Sequence, residues 1–282
     1  MSLSRRVAGV LAALLAALLP AVPAQAADLL ESIKSKKEIV VGTEAQFAPF
    51  EFVQDGKIVG YGPDLMNLIL QDLPGVRVRQ MDVPFQGILP GLATRRFDFV
   101  VTSVTMTKDR AAKFAFTLPI ADATTALVKR QGDDTIQAAP DIAGKTVGSQ
   151  AGSAQLKALQ EYAAKLKAQG KPAVNIREYV SFDEAYADLG AGRVQAVAQS
   201  LANLATLVKS RGDVYAVIDT PIGPKTYFGW VGRQDADSAS LVKFFSDGIA
   251  KASRDGTLQA LQKKWFGFTM DVPVDAVPEP QI

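Results

Sequence analysis

The stretch Phe97-Asp-Phe-Val-Val-Thr-Ser-Val-Thr-Met-Thr-Lys-Asp-Arg110 decides how the chain is read. Phe97 to Val101 is a short apolar run rich in aromatic and β-branched residues, and it reads as a buried strand. It then breaks into hydroxyls: Thr102, Ser103, Thr105 and Thr107. Thr107 reads as the N-cap of a short helix whose first turn holds Asp109 and Arg110. Asp109 complements the positive helix N-terminus, whereas Arg110 opposes it. A guanidinium kept in that place, among hydroxyls and free backbone N–H groups, has the makings of half a carboxylate clamp. Its planar fork matches a carboxylate bidentately, and helix N-termini bind anions. The competing reading is a surface arginine beside a solvated cap.

Working outward, the segments before this stretch alternate in type. Asp28–Lys37 reads as a short amphipathic helix and Glu38–Gly42 as a strand. Asp55-Gly56 marks a hairpin between Phe50–Val53 and Ile58–Tyr61. A helix over Asp64–Leu73, a strand over Val76–Met81 and a helix over Pro84–Ala93 follow. This β-α-β-α-β order is the mark of a parallel sheet covered on both faces. An extended run over Ala121–Lys129 leads to a second set. It comprises strand Thr146–Gly148, helix Ser153–Gln169, strand Asn175–Tyr179, helix Phe182–Ala191, strand Val194–Ala198, helix Leu201–Lys209 and strand Tyr215–Ile218. The closing strand Lys225–Gly232 and helices from Asp237 onward lack a unit of their own and must pack back onto the first. Two lobes result, with crossings near Ile120 and Gly223: lobe 1 over 27–119 plus 224–282, and lobe 2 over 120–223.

Composition narrows the chemistry. The sequence starts with Arg5 and Arg6, an apolar run over Val7–Leu19, and Ala24-Gln-Ala26. This is the pattern of a secretory signal peptide over residues 1–26, which places the mature protein in the periplasm. The 282 residues include no cysteine and no histidine. That removes disulfides, thiol catalysis, Cys-ligated metal and the commonest general base. No metal site and no cofactor is expected. Of 31 Lys and Arg against 29 Asp and Glu, cleavage removes Arg5 and Arg6, so the mature charge balances. Without a basic block, nucleic acid is not an expected partner.

Four segments, in order, resemble the polar amino-acid-binding proteins of bacterial ABC importers, solute-binding protein family 3. They are Val41–Phe52, Asp55–Leu65, Phe97–Thr117 and Gly256–Gly267. The resemblance implies an α/β, two-lobe periplasmic binding protein fold of type II, the lobes joined by two crossover strands around a ligand cleft. It implies that Arg110 and Thr105 hold a ligand α-carboxylate, and that Ser103 meets the α-ammonium. Ser153 would begin a lobe 2 helix that completes the carboxylate site. Phe47 and Phe85 would sandwich the side chain, and Glu44 would read the far end of a basic ligand. The implied partners are an amino acid or related carboxylate and an inner-membrane permease, with the receptor a monomer.

Two positions depart from the family pattern. Ser200 stands where an aspartate usually meets the ammonium, and a neutral hydroxyl cannot balance that charge in a closed cleft. Gly62-Pro63 stands where an acidic residue is usual, and Pro63 suits the first position of a helix. The loss at Ser200 keeps an alternative open: an exported enzyme like cyclohexadienyl dehydratase, on the same fold, with Glu44 as its acid if the cleft raises the carboxyl pKa. The leading expectation is a non-catalytic receptor.

Overall fold

The protein is described by a computed structural model over residues 28–218 and 220–282. The expected signal peptide lies outside the described residues. Helix α1 (Leu29–Lys36) is capped by Asp28 and enters strand β1 (Glu38–Thr43). Strands β2 (Gln46–Phe47), β3 (Glu51–Gln54) and β4 (Lys57–Val59) make a small separate sheet. Its β3–β4 turn uses Asp55 and Gly56, both at positive φ (52° and 73°), the signature of a type I′ hairpin. Then come α2 (Tyr61–Leu70), β5 (Arg77–Asp82), α3 (Phe85–Ala93), β6 (Phe99–Thr105), α4 (Lys108–Ala111), β7 (Phe114–Phe116) and β8 (Ala121–Asp122).

The second unit holds β9 (Thr125–Arg130), β10 (Thr146–Gln150), α5 (Ala154–Ala168), β11 (Asn175–Tyr179), α6 (Phe182–Gly190), β12 (Ala196–Ser200), α7 (Leu201–Arg211) and β13 (Tyr215–Ile218). The chain returns through β14 (Tyr227–Arg233), α8 (Ala239–Arg254) and α9 (Thr257–Phe266). The first sheet has the order β5-β1-β6-β14-β7, with β8 also on β14; the second has β11-β10-β12-β9-β13. The run expected over Ala121–Lys129 is therefore split between the two sheets. Two segments cross side by side: Ala123 N donates to Thr226 O at 2.8 Å, and Ile222 N donates to Thr125 O at 2.9 Å.

The units repeat one another down to single hydrogen bonds. Thr43 Oγ1 donates to Val101 O (2.8 Å) in the first, and Ser149 Oγ donates to Ala198 O (3.0 Å) in the second. Asp98 Oδ2 accepts from Val40 N and Gln195 Oε1 from Thr146 N in the same relation. Ser103 and Ser200 each lie five residues beyond these two side chains, so they occupy equivalent strand positions.

The decisive stretch differs from expectation at both ends. The strand starts at Phe99, and it continues through the hydroxyls to Thr105, buried along its whole length. These hydroxyl residues stay in the ladder because β14 pairs with them: Val104 faces Gly229 and Thr105 faces Phe228. Phe97, just before the strand, is a buried wedge. A Cβ at Gly42 or Gly91 would come within 2.6 Å or 2.7 Å of its ring, so the ring fits only between two glycines.

Helix α2 starts at Tyr61, three residues earlier than expected, behind a Gly60 N-cap with φ 131°. Pro63 is consequently third in the helix, where its missing N–H still has no intrahelical acceptor to lose. Gly62 has a separate reason: a Cβ there would lie 2.5 Å from Glu51 Oε1. The glycine makes room for a fully buried carboxyl. The hairpin–helix and C-terminal motifs meet in space. Asp64 Oδ2 accepts from Lys264 Nζ (2.7 Å) and Trp265 Nε1 (2.8 Å), while Phe266 packs on Phe50 and Tyr61.

Candidate functional site

The parallel strands of both sheets end toward a common seam, the usual place for a ligand in open α/β sheets. Glu44 follows β1 and Arg110 follows β6; Gln150 ends β10 and Ser153 follows it, and Ser200 ends β12. Among the described residues, three hydrogen bonds close the seam. Arg110 Nη2 donates to Gly152 O (3.0 Å), Asn203 Nδ2 donates to Ala48 O (2.9 Å), and Gln150 Nε2 donates to Glu44 Oε1. Phe47 also meets Phe182 of the other unit, ring centroids 5.8 Å apart.

Arg110 is built in place by local rules. Thr107 is extended and its Oγ1 accepts from Arg110 N, which caps α4 and turns the arginine toward the seam. The guanidinium donates through Nη1 to Thr105 O (2.9 Å) and lies 5.4 Å from the Phe85 ring centroid. No carboxylate of the described residues pairs with it. Burial pushes its pKa down to about 10. It is a half-buried cation whose partners among the described residues are two carbonyls and an aromatic face, an arrangement ready for an anion. Arg110, Thr107, Gly152 and Ser153 share the wall of a recess of about 320 Å³.

Ser153 caps α5, its Oγ accepting from Leu156 N (3.0 Å) and donating to Gln150 O (2.7 Å). Phe47 packs in the core on Phe50 and Phe228 as well as Phe182. Phe85 lies under Arg110, and the two rings belong to separate apolar clusters. Ser103 turns its hydroxyl to Glu51 Oε1 (3.1 Å), and Thr102 Oγ1 donates to Glu51 Oε2 (3.2 Å). Ser200 is buried, accepts from Asn203 N as the α7 cap, and donates to Asn203 Oδ1. Both serine hydroxyls are thus already engaged within the protein.

Two carboxyls stand out. Glu44 and Glu51 are both buried, and desolvation raises each from 4.5 to about 8, against the opposing hydrogen bonds of Gln150 and of Ser103 and Thr102. A raised carboxyl pKa means the folded chain holds these protons more tightly than the unfolded chain. Stability is therefore fully present below the unfolded value and falls as pH rises from about 4.5 to about 8. Replacing Glu51 by Gln removes one of the two contributions. Urea unfolding at pH 5 and pH 8 is expected to show the variant gaining on wild type by at least about 1.4 kcal/mol between those pH values, the worth of one pKa unit. Parallel pH dependences would show that Glu51 titrates normally.

Glu51, Gln150 and Asn203 are the polar residues that the sequence reading missed. Gln150 was within reach: it directly precedes the loop into the Ser153 cap, the strand-end position that Glu44 holds in the first unit.

Residues 39–268 match the model of the bacterial extracellular solute-binding proteins, family 3. The chain belongs to that family. It is 32% identical over 241 residues to the L-cystine-binding protein TcyJ of Escherichia coli (strain K12), covering 85% of this chain and 86% of the relative. Among solved structures, it is similar to the amino acid ABC transporter substrate-binding protein AbpA from Streptococcus pneumoniae Canada MDR_19A bound to L-arginine. There the TM-score is 0.73 at 28% identity, with 84% of this chain and 98% of that one covered. It is also similar to the ancestral amino acid-binding protein AncCDT-1, a precursor of cyclohexadienyl dehydratase, with a TM-score of 0.74, 26% identity and coverage of 85% and 100%. Family membership explains why the strand ends of two units converge on one seam.

Proposed function

We propose that this family member is the receptor of an ABC importer, capturing an α-amino acid by closure of its two lobes and presenting it to a membrane permease. The single observation that carries this is Arg110: a half-buried guanidinium in the seam, held by carbonyls of both units and without an acid partner among the described residues. A ligand carboxylate takes Nη2 from the Gly152 carbonyl, exchanging a neutral acceptor for a charged one. The first turn of α5, at Ala154 and Gln155, adds backbone N–H groups with no intrahelical acceptor. Thr105 and Phe85 hold the guanidinium in position, and Phe47 flanks the ligand side chain.

With Ser103 and Ser200 engaged elsewhere, Glu44 is the acid assigned to the ligand's positive charge. Burial favours the protonated carboxyl, and a ligand cation beside it favours the carboxylate. In this reading, 27–119 with 224–282 and 120–223 act as the two closing lobes. Residues 1–26 direct export to the periplasm, and the closed monomer is the form that the permease engages. No covalent chemistry is required.

A second reading has one observation in its favour. A Glu44 carboxyl with a pKa of about 8 is also the proton donor that a dehydratase needs. A thermal-shift screen of the mature chain against α-amino acids and ring carboxylates, with ligand recovery, separates the two. The receptor reading expects a large shift with an α-amino acid recovered unchanged. Consumption of prephenate would replace it with the enzyme.

A further inference from the structure

Glu51 is a wholly buried acid on β3, without an ion pair among the described residues. Its carboxyl is held from β6. Thr102 Oγ1 (3.2 Å) and Ser103 N (3.4 Å) donate to Oε2, and Ser103 Oγ donates to Oε1 (3.1 Å). Thr102 Oγ1 also accepts from Glu44 N at 3.3 Å, and two residues beyond Ser103 the Thr105 carbonyl accepts from Arg110. The carboxyl therefore stands behind the end of β6 that links Glu44 to Arg110, and both of these reach across the seam. Desolvating an acid is costly, and the space for this one is kept by Gly62, where a Cβ would lie 2.5 Å from Oε1. A neutral acceptor would satisfy the same donors. What the acid adds is negative charge.

We propose that Glu51 is a positioning residue that supplies negative charge to the ligand's α-ammonium through Ser103. With its one hydrogen donated to Glu51, the Ser103 hydroxyl can meet a ligand only as an acceptor, which is what an ammonium requires. A carboxylate on the far side of that hydrogen polarises the hydroxyl oxygen and strengthens it as an acceptor. The placement agrees. Ser103 and Thr105 are alternate residues of β6, on one face and about 7 Å apart. A carboxylate on Arg110, beside the Thr105 carbonyl, leaves its α-ammonium one carbon away, a span that reaches Ser103. The inference rests on the receptor reading above and gives the neutral Ser200 its counterpart: the missing negative charge lies behind the equivalent serine of the other unit. Glu44 is near enough to resist ionisation of Glu51, and a cation between them relieves that repulsion. Tyr61 of α2 is also close to Glu51, its hydroxyl donating to Ile120 O (2.7 Å).

The test is calorimetric titration of the mature protein with the standard α-amino acids and L-cystine. Each one that binds is titrated beside the analogue in which hydrogen replaces the α-ammonium. In Glu51→Gln, which keeps the shape and removes the charge, the ratio of amino-acid to analogue affinity is expected to fall about tenfold or more. Ser103→Ala, which leaves the carboxyl in place, should narrow the ratio as well. In the Ser103→Ala background, Glu51→Gln should then change it by less than about twofold, because the charge acts through that hydroxyl. If Glu51 merely props β6, its substitution weakens amino acid and analogue alike, and the unchanged ratio overturns the inference. A ratio that rises would also overturn it, since Glu44 would then meet the ammonium alone and gain from losing a like-charged neighbour. Both results leave the receptor intact. Failure of every α-amino acid to bind would instead remove the receptor reading and this inference with it.

Discussion

Replacing Arg110 by alanine is expected to weaken binding of the ligand by about 100-fold or more, with the unliganded fold intact by circular dichroism. Truncating one partner of a buried charged pair costs about 2–5 kcal/mol, and each 1.4 kcal/mol is about tenfold in affinity. The size follows from the setting. The guanidinium is half-buried, has carbonyls and the Phe85 ring as its partners among the described residues, and spans the two units through Gly152. Arg110→Lys retains the charge and loses the fork, so it should fall between wild type and alanine. Affinity of the alanine variant within a few-fold of wild type would remove Arg110 from the site.

The largest expected loss of stability comes from the same stretch. Phe97→Ala should cost about 3–5 kcal/mol, the usual range for emptying a buried aromatic site, measured by urea unfolding. The collapse needed to refill the space is hindered because β1 and α3 already approach at Gly42 and Gly91, with no side chain there to move in. The reverse substitution tests the same packing. Gly42→Ala should cost about 1–3 kcal/mol by overpacking the ring. Phe97→Leu is expected to recover part of that loss, since the two sites are in direct contact. A Phe97→Ala variant within about 1 kcal/mol of wild type would show that the wedge is not tightly held.

How much of this was visible in the amino-acid order depends on the range of the interaction. Thr107, Ser153 and the Asp55-Gly56 turn were legible because a cap or a hairpin turn is decided within three or four residues. The two-unit α/β plan was legible from alternating periodicity, and the return of β14 to the first sheet from its lack of any other partner. Glu51 was not: in Phe-Glu-Phe it reads as the solvent side of a strand. It is buried because Gly62 vacates space and Thr102 and Ser103 supply donors from β6, more than fifty residues away in sequence. Gln150 acquires meaning only when it meets Glu44 across 106 residues. Ser200 was found as a position, but its commitment to Asn203 depends on the α7 cap geometry.

The most direct measurement of the central claim, that Arg110 captures an α-carboxylate between the closing lobes, is calorimetry with one bound amino acid and its carboxamide. The two differ only at the group assigned to Arg110. The account predicts tight binding of the acid, and binding of the carboxamide weakened by at least about 100-fold, with no such gap in the Arg110→Ala variant. Equal affinity of wild type for acid and carboxamide would contradict it.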